Sequence, residues 1–191
     1  MRTWLVPLLG AVLLLGSGAA TADFPRVRFE TTAGNFVVEL DRGRAPLTVE
    51  NFLQYAEEGF YDGTIFHRVV NAFVIQGGGF TADLKPKETY PPIPNESGNG
   101  LNNERLTIAM ARTNEPHSAD SQFYINLADN AALDSKPTRW GYTVFGRVVE
   151  GSDVVDDIGH RATTSQGQHA NLPTVTVTIE KVSLITDPRP Q

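Results

Sequence analysis

Along this chain the apolar positions recur with a period of two more often than with the helical period. Val27, Phe29 and Thr31 alternate with Arg28 and Glu30, the spacing of a half-buried strand. Phe36-Val37-Val38-Glu39-Leu40 reads as a second strand, and Gly34-Asn35 between the two runs predicts a hairpin turn. Pro46 predicts the first turn of a helix with Val49, Phe52, Leu53 and Ala56 on one face, and Gly59 predicts its end. Short strand-like runs follow at 64–70, 73–76, 106–111, 122–127 and 142–149. A second, short helix is predicted from Ser152, with Val154, Val155 and Ile158 on its buried side. Val175, Val177 and Ile179 alternate with Thr176, Thr178 and Glu180 and predict a final strand. Residues 90–103 are rich in Pro, Gly and Asn and read as a long loop. Many short strands with two helices predict a mainly β fold: an antiparallel sheet closed or nearly closed into a barrel, with helices over its ends.

The pattern breaks at both ends. Arg2 precedes an apolar run from Leu5 to Leu15, and Ala20-Thr21-Ala22 has the form of a cleavage site. The run is too short to span a bilayer, which takes roughly 20 residues. Residues 1–22 are therefore expected to be a signal peptide cleaved after Ala22, leaving one domain over 23–191. Asp187-Pro188-Arg189-Pro190-Gln191 cannot continue a strand and is expected to fray.

Composition narrows the chemistry. The chain has 191 residues, the size of one domain, and no Cys, so disulfides, thiolate metal sites and a thiol nucleophile are excluded. Its net charge is −6, which argues against a non-specific nucleic-acid binder. The histidines, His67, His117, His160 and His169, lack helical metal-ligand spacing, and no metal site is expected.

Within the strands, three places stand out. Phe66 and Arg68 are expected on one face of their strand and His67 on the other. On that pattern alone, Arg68 is best read as an edge-strand arginine reaching solvent. His67 reads as a hydrogen-bonded interior residue, since no serine of nucleophile-elbow pattern accompanies it. Gln122, Tyr124 and Asn126 share a polar-aromatic face, a candidate binding surface, opposite Phe123, Ile125 and Leu127. Gly77-Gly78-Gly79 is no phosphate loop, because no Gly-Lys-Ser/Thr follows; it reads as a turn or bulge where another backbone comes close.

The stretch from Phe66 to Gly78 resembles the F-H-R-x4-F-x2-Q-G-G signature of the cyclophilin-type peptidyl-prolyl cis-trans isomerases, through Phe66, His67, Arg68, Phe73, Gln76, Gly77 and Gly78. Ala45-Pro46, Asn51-Phe52, Ala109-Met110-Ala111, Ser121-Gln122-Phe123-Tyr124, Leu133-Asp134 and Val144-Phe145-Gly146 are similar to further family segments. The resemblance implies an eight-stranded antiparallel closed barrel capped by two α-helices. It implies an isomerase that needs no cofactor and acts on proline-containing peptides. Together with the signal peptide, it implies a periplasmic bacterial member serving unfolded or folding exported proteins, without stable membrane association and as a monomer.

Carried over by the resemblance, Arg68, Phe73 and Gln76 are the catalytic positions. Phe66, Val74, Ala111, Arg112, Gln122, Tyr124, Leu133 and Tyr142 are the substrate-binding ones. Tyr142 falls where many members have His, Val74 where many have Met, and Tyr124 where Phe is usual. Ala132 falls where members that bind cyclosporin tightly carry Trp, so weak cyclosporin binding is expected, with Trp140 the residue placed to fold back into that vacancy. A non-catalytic proline-peptide-binding chaperone of the same fold is the alternative reading. A carbohydrate- or nucleotide-binding barrel lacks any supporting motif.

Overall fold

The computed structural model describes residues 24–185. The expected signal peptide, its cleavage site and the tail 187–191 lie outside them. Ten strands and two helices run in the order β1 (Arg26–Thr31), β2 (Gly34–Leu40), α1 (Pro46–Glu57), β3 (Thr64–Val70), β4 (Val74–Thr81), β5 (Thr107–Met110), β6 (Phe123–Asn126), β7 (Val144–Glu150), α2 (Ser152–Gly159), β8 (Thr163–Gln166), β9 (His169–Pro173) and β10 (Ile179–Leu184). Eight strands form one antiparallel sheet in the order β10-β1-β2-β7-β5-β6-β4-β3, and β8 and β9 form a separate hairpin.

The sheet nearly closes on itself. Its edge strand β3 meets the chain entering β10: Phe66 N–H donates to Val177 O at 3.0 Å, and Gly63 N–H to Ile179 O at 2.9 Å. Those bonds occupy backbone groups that an open edge would leave unpaired. They also explain why the last strand begins at Ile179 rather than Val175. Residues ahead of it cross from the β8–β9 hairpin to the barrel, so Val175 is 62% exposed while Val177 is buried. The first hairpin turns at Thr32-Ala33, two residues before the expected Gly34-Asn35, with Thr31 paired to Gly34.

Inward-facing strand residues and helix faces fill the barrel with aromatic rings. Phe29 stacks on Phe36 at 4.6 Å, and Phe123 meets Phe29, Phe52, Tyr61 and Phe66 edge-on. Such pairs add to the burial of their apolar area. Helix α1 buries Val49, Phe52, Leu53 and Ala56, as their spacing predicts, and α2 buries Val155 and Ile158, while Val154, expected beside them, is only partly buried against the core. Pro46 opens α1, and the N–H groups of Leu47 and Thr48 donate to the Glu96 carboxylate at 3.2 and 2.9 Å. A carboxylate at a helix N-terminus satisfies orphan donors and suits the helix dipole. It also pins the long loop to the barrel. Gly59, with φ of 68°, ends the helix in the left-handed conformation.

The outer face of β4, β5, β6 and β7 carries a second, smaller apolar cluster of Val74, Ala109, Tyr124 and Val144, with Phe73, Ala111, Leu133 and Tyr142 packed against it. This cluster is separate from the barrel core.

Candidate active site

Local register places the arginine. Phe66 pairs with Gly77 and Arg68 with Gln76, so two residues of β3 advance against one of β4. This bulge breaks the strand alternation. Phe66 turns inward, 1% exposed, into the main core against Phe123. Arg68 turns to the outer face. The expectation that Phe66 binds substrate is thus corrected: Phe66 is a core residue. The solvent-reaching reading of Arg68 is corrected too, because its head is held over the pocket.

Arg68, Phe73, Val74, Gln76, Ala111, Arg112, Tyr124, Leu133 and Tyr142 line one cavity of about 320 Å³. Arg68 Cζ lies 5.8 Å from the centre of the Phe73 ring. Arg68 Nη1 donates to Gln76 Oε1 at 3.4 Å, and Gln76 Nε2 donates to Gln122 Oε1 at 3.1 Å. Gln122 does not line the cavity; it holds Gln76 from behind. The glycine run makes room for it. A Cβ on Gly79 would lie 2.5 Å from Gln122 Cγ, and one on Gly78, whose φ is 80°, 2.8 Å from the Phe123 ring. The triplet lies within β4 rather than in a turn, and the expected bulge is there: the register shifts between the Thr64–Thr81 and Phe66–Gly77 pairs, and a Cβ on Gly77 would lie 3.1 Å from the backbone oxygen of Ile65.

The opposite wall is braced by Arg112. Its Cζ sits 4.4 Å over the Tyr142 ring, and its Nε and Nη2 donate to the carbonyls of Gly141 and Trp140, each at 3.1 Å. Arg112 is thus fastened to the wall it builds. Tyr142 meets Tyr124 edge-on at 5.8 Å. The hydroxyl of Tyr124 donates to Asn103 Oδ1 at 2.7 Å, and burial, with the nearby Tyr142 and Asp134, pushes its pKa far up. Below it lies a network that the sequence did not single out. Asn126 Nδ2 donates to Asn103 Oδ1 at 3.3 Å, and Asn130 Nδ2 donates to Asn126 Oδ1 at 2.7 Å and to Phe73 O at 2.9 Å. Asn103 in turn donates to Asp134 Oδ1 at 3.0 Å. These bonds tie the turn carrying Leu133 to the β3–β4 turn carrying Phe73, two walls of the cavity. Asn126 alone was visible beforehand, through its place on the polar face of β6.

No carboxylate lines the cavity, whose charged groups are Arg68 and Arg112. Among the described residues, no group of three or more His, Cys, Asp or Glu side chains could hold a metal ion. His67 is buried, and burial followed by the nearby His169 lowers its pKa to about 4. Its Nδ1 is buried without a hydrogen-bond partner, so the expected hydrogen bond is not made at that atom.

Two held guanidiniums, Arg68 and Arg112, thus flank a cavity whose other walls are mostly apolar and aromatic side chains. The sequence profile of the cyclophilin type peptidyl-prolyl cis-trans isomerase/CLD family matches residues 26–184. The chain belongs to the cyclophilin-type peptidyl-prolyl cis-trans isomerases. A peptidyl-prolyl cis-trans isomerase of Streptomyces antibioticus is 54% identical over 162 residues, 83% of this chain and 98% of that one. Peptidyl-prolyl cis-trans isomerase B of Escherichia coli is 51% identical over 161 residues, 83% of this chain and 98% of that one. The crystal structure of a cyclophilin-type isomerase of Cryptosporidium parvum superposes with a TM-score of 0.73 at 23% identity, covering 87% of this chain and all of that one. The nearly closed eight-stranded barrel with two helices is the cyclophilin fold. Among the described residues, no helix is long and apolar enough to cross a membrane.

Proposed function

We propose that this cyclophilin isomerises X–Pro bonds at the outer-face cavity, with Arg68 as the catalytic donor. The peptide C–N bond resists rotation by about 18–20 kcal/mol because of resonance. In the twisted amide that resonance is lost, and the prolyl nitrogen becomes pyramidal and gains a lone pair. A guanidinium held beside that nitrogen donates to the lone pair, an interaction much weaker in the planar ground state. Phe73, Val74, Tyr124, Leu133 and Tyr142 grip the proline ring while the acyl side turns. Gln76, backed by Gln122, keeps Arg68 aimed, and Ala111 and Arg112 form the adjoining wall. The observation that carries the assignment is the 3.4 Å Arg68–Gln76 bond at the rim of an apolar cavity that no carboxylate lines.

The wider role rests on the N-terminal pattern. An exported chain without cysteine suits an oxidising compartment. The reading is a periplasmic isomerase, released by cleavage after Ala22, that assists exported proteins whose folding waits on slow X–Pro exchange. A cyclophilin-type isomerase of Cryptosporidium parvum was solved in the presence of the dipeptide Ala-Pro. That choice of ligand supports peptides of this chemistry as substrates here. Acceleration of X–Pro isomerisation in a short peptide by the purified protein supports the assignment, and relaxation at the uncatalysed rate overturns it. Recovered mature protein is expected to begin at Asp23.

A further inference from the structure

Arg68 has two sides. One faces the proline cavity. The other lines a separate hollow of about 350 Å³, walled by His67, Phe80, Gln168, His169 and Ala170. The β8–β9 hairpin, which belongs to neither the barrel nor the first cavity, supplies half of that wall. Three rings converge there. Phe80 meets His67 and His169 edge-on, each at 4.7 Å, and the two imidazoles lie 6.1 Å apart at 79°.

We propose that this hollow is a second subsite of the isomerase, which takes an aromatic side chain of the same polypeptide two or three residues from the proline. The inference rests on the isomerase reading given above. Continuity carries it. The two cavities share Arg68, so a peptide with its proline in the first must pass beside the second. An extended chain advances about 3.3 Å per residue, so two or three residues cover the width of the dividing side chain. The chemistry of the wall selects the occupant. Edge-on rings favour another aromatic ring. His67, whose pKa burial lowers to about 4, stays uncharged at neutral pH, so it offers a ring and no cation. The guanidinium that borders the hollow adds a cation–π contact to such a ring. A carboxylate occupant would instead draw on the donors that the reaction needs.

The test uses peptides built on one Ala-Pro core, with Phe or Ala at the second or third position before or after the proline. Phe at one or more of these positions is expected to raise kcat/KM about tenfold over Ala, through KM with kcat unchanged. His169→Ala removes a ring, and Ala170→Trp adds bulk to the wall. Both lie on the outer hairpin and wall the hollow, and neither lines the proline cavity. Each variant is expected to cancel the Phe advantage while turning over the core peptide at the wild-type rate. An active wild-type protein that does not distinguish Phe from Ala overturns the subsite alone, as do both variants keeping the full advantage. A wild-type protein inert toward the core peptide overturns the isomerase reading, and the subsite with it.

Discussion

Arg68 and Gln76 face each other across the β3–β4 pair, and Nη1 of the arginine donates to Oε1 of the glutamine at 3.4 Å. The bond orients a guanidinium that also lies 5.8 Å from the centre of the Phe73 ring. Replacing Arg68 removes the only donor assigned to the twisted amide. Arg68→Ala is expected to lower kcat/KM by roughly 10²–10³, as for other single transition-state donors. Its partial exposure on the outer face leaves the barrel core untouched, so the melting temperature is expected to hold. Near-normal turnover in a folded variant would remove Arg68 from the mechanism.

The hold on Gln76 is indirect and can be broken from a distance. Gln122 accepts from Gln76 at 3.1 Å and lies against Gly79, where a Cβ would come within 2.5 Å of its side chain. Gly79→Ala must push Gln122 aside. Losing one such bond is worth about 1 kcal/mol, roughly fivefold in rate. Gly79→Ala and Gln122→Ala are each expected to lose about that much in kcat with KM little changed. The double variant is expected to lose no more than either single one, since both remove the same contact. Fully additive losses would show that Gly79 acts by another route.

Phe73 is treated differently by the structure than by a rule for core phenylalanines. Its ring is half-buried and belongs to the outer cluster, not to the barrel interior. Truncation of a fully buried Phe costs about 3–5 kcal/mol. Phe73→Ala is expected to cost clearly less than that in chemical denaturation. It is expected to lose at least tenfold in kcat/KM, because the proline loses a wall. A stability loss within the full core range, with activity retained, would reverse this assignment.

How much was visible in advance follows from how local each cause is. The signature strip, both helices and most strand spans depend on near neighbours, and their periodicity reads directly. Phe66 was misplaced because a bulge sits between it and Arg68, and a one-residue slip leaves no mark in an apolar-polar pattern. The β8–β9 hairpin escaped because Thr163–Gln166 is polar throughout and exposed on both faces, so no alternation announces it. The asparagine network under Tyr124 joins Asn103, Asn126 and Asn130, which are close only after the barrel forms. Singly, Asn103 and Asn130 read as turn residues, and Asn126 only as part of a strand face.

His67 makes stability depend on pH. In the unfolded chain it titrates near 6.5, and in the fold its pKa is lowered to about 4. Below 6.5 the unfolded state takes up a proton that the folded state refuses. Its contribution is therefore fully present above pH 6.5 and is lost as pH falls towards 4, to a total of about 3 kcal/mol. Denaturation at pH 7 and pH 4.5 should show this loss, reduced in His67→Gln. An identical pH slope in that variant would assign the loss to other groups.

Cyclosporin binding turns on Ala132. By the family resemblance drawn from the sequence, Ala132 stands where tight binders of the drug carry Trp. The structure shows what stands there instead. Ala132 is exposed, and Arg139 Nη2 donates to its carbonyl at 2.6 Å. Trp140 does not fold into the vacancy. Its ring packs edge-on against His117 at 5.1 Å, and it does not line the proline cavity. The site therefore lacks both the large apolar face and the indole N–H donor that a Trp provides. Loss of an anchor of that kind costs about 2 kcal/mol or more, beyond tenfold in affinity. Small proline substrates depend on Phe73, Tyr124 and Leu133, so ordinary turnover is expected beside weak inhibition. Ala132→Trp is expected to tighten inhibition by at least tenfold without changing turnover of a short peptide. Titration of the wild-type activity decides the matter: inhibition as tight as in Trp-bearing relatives would mean that Arg139 or Trp140 moves to complete the site.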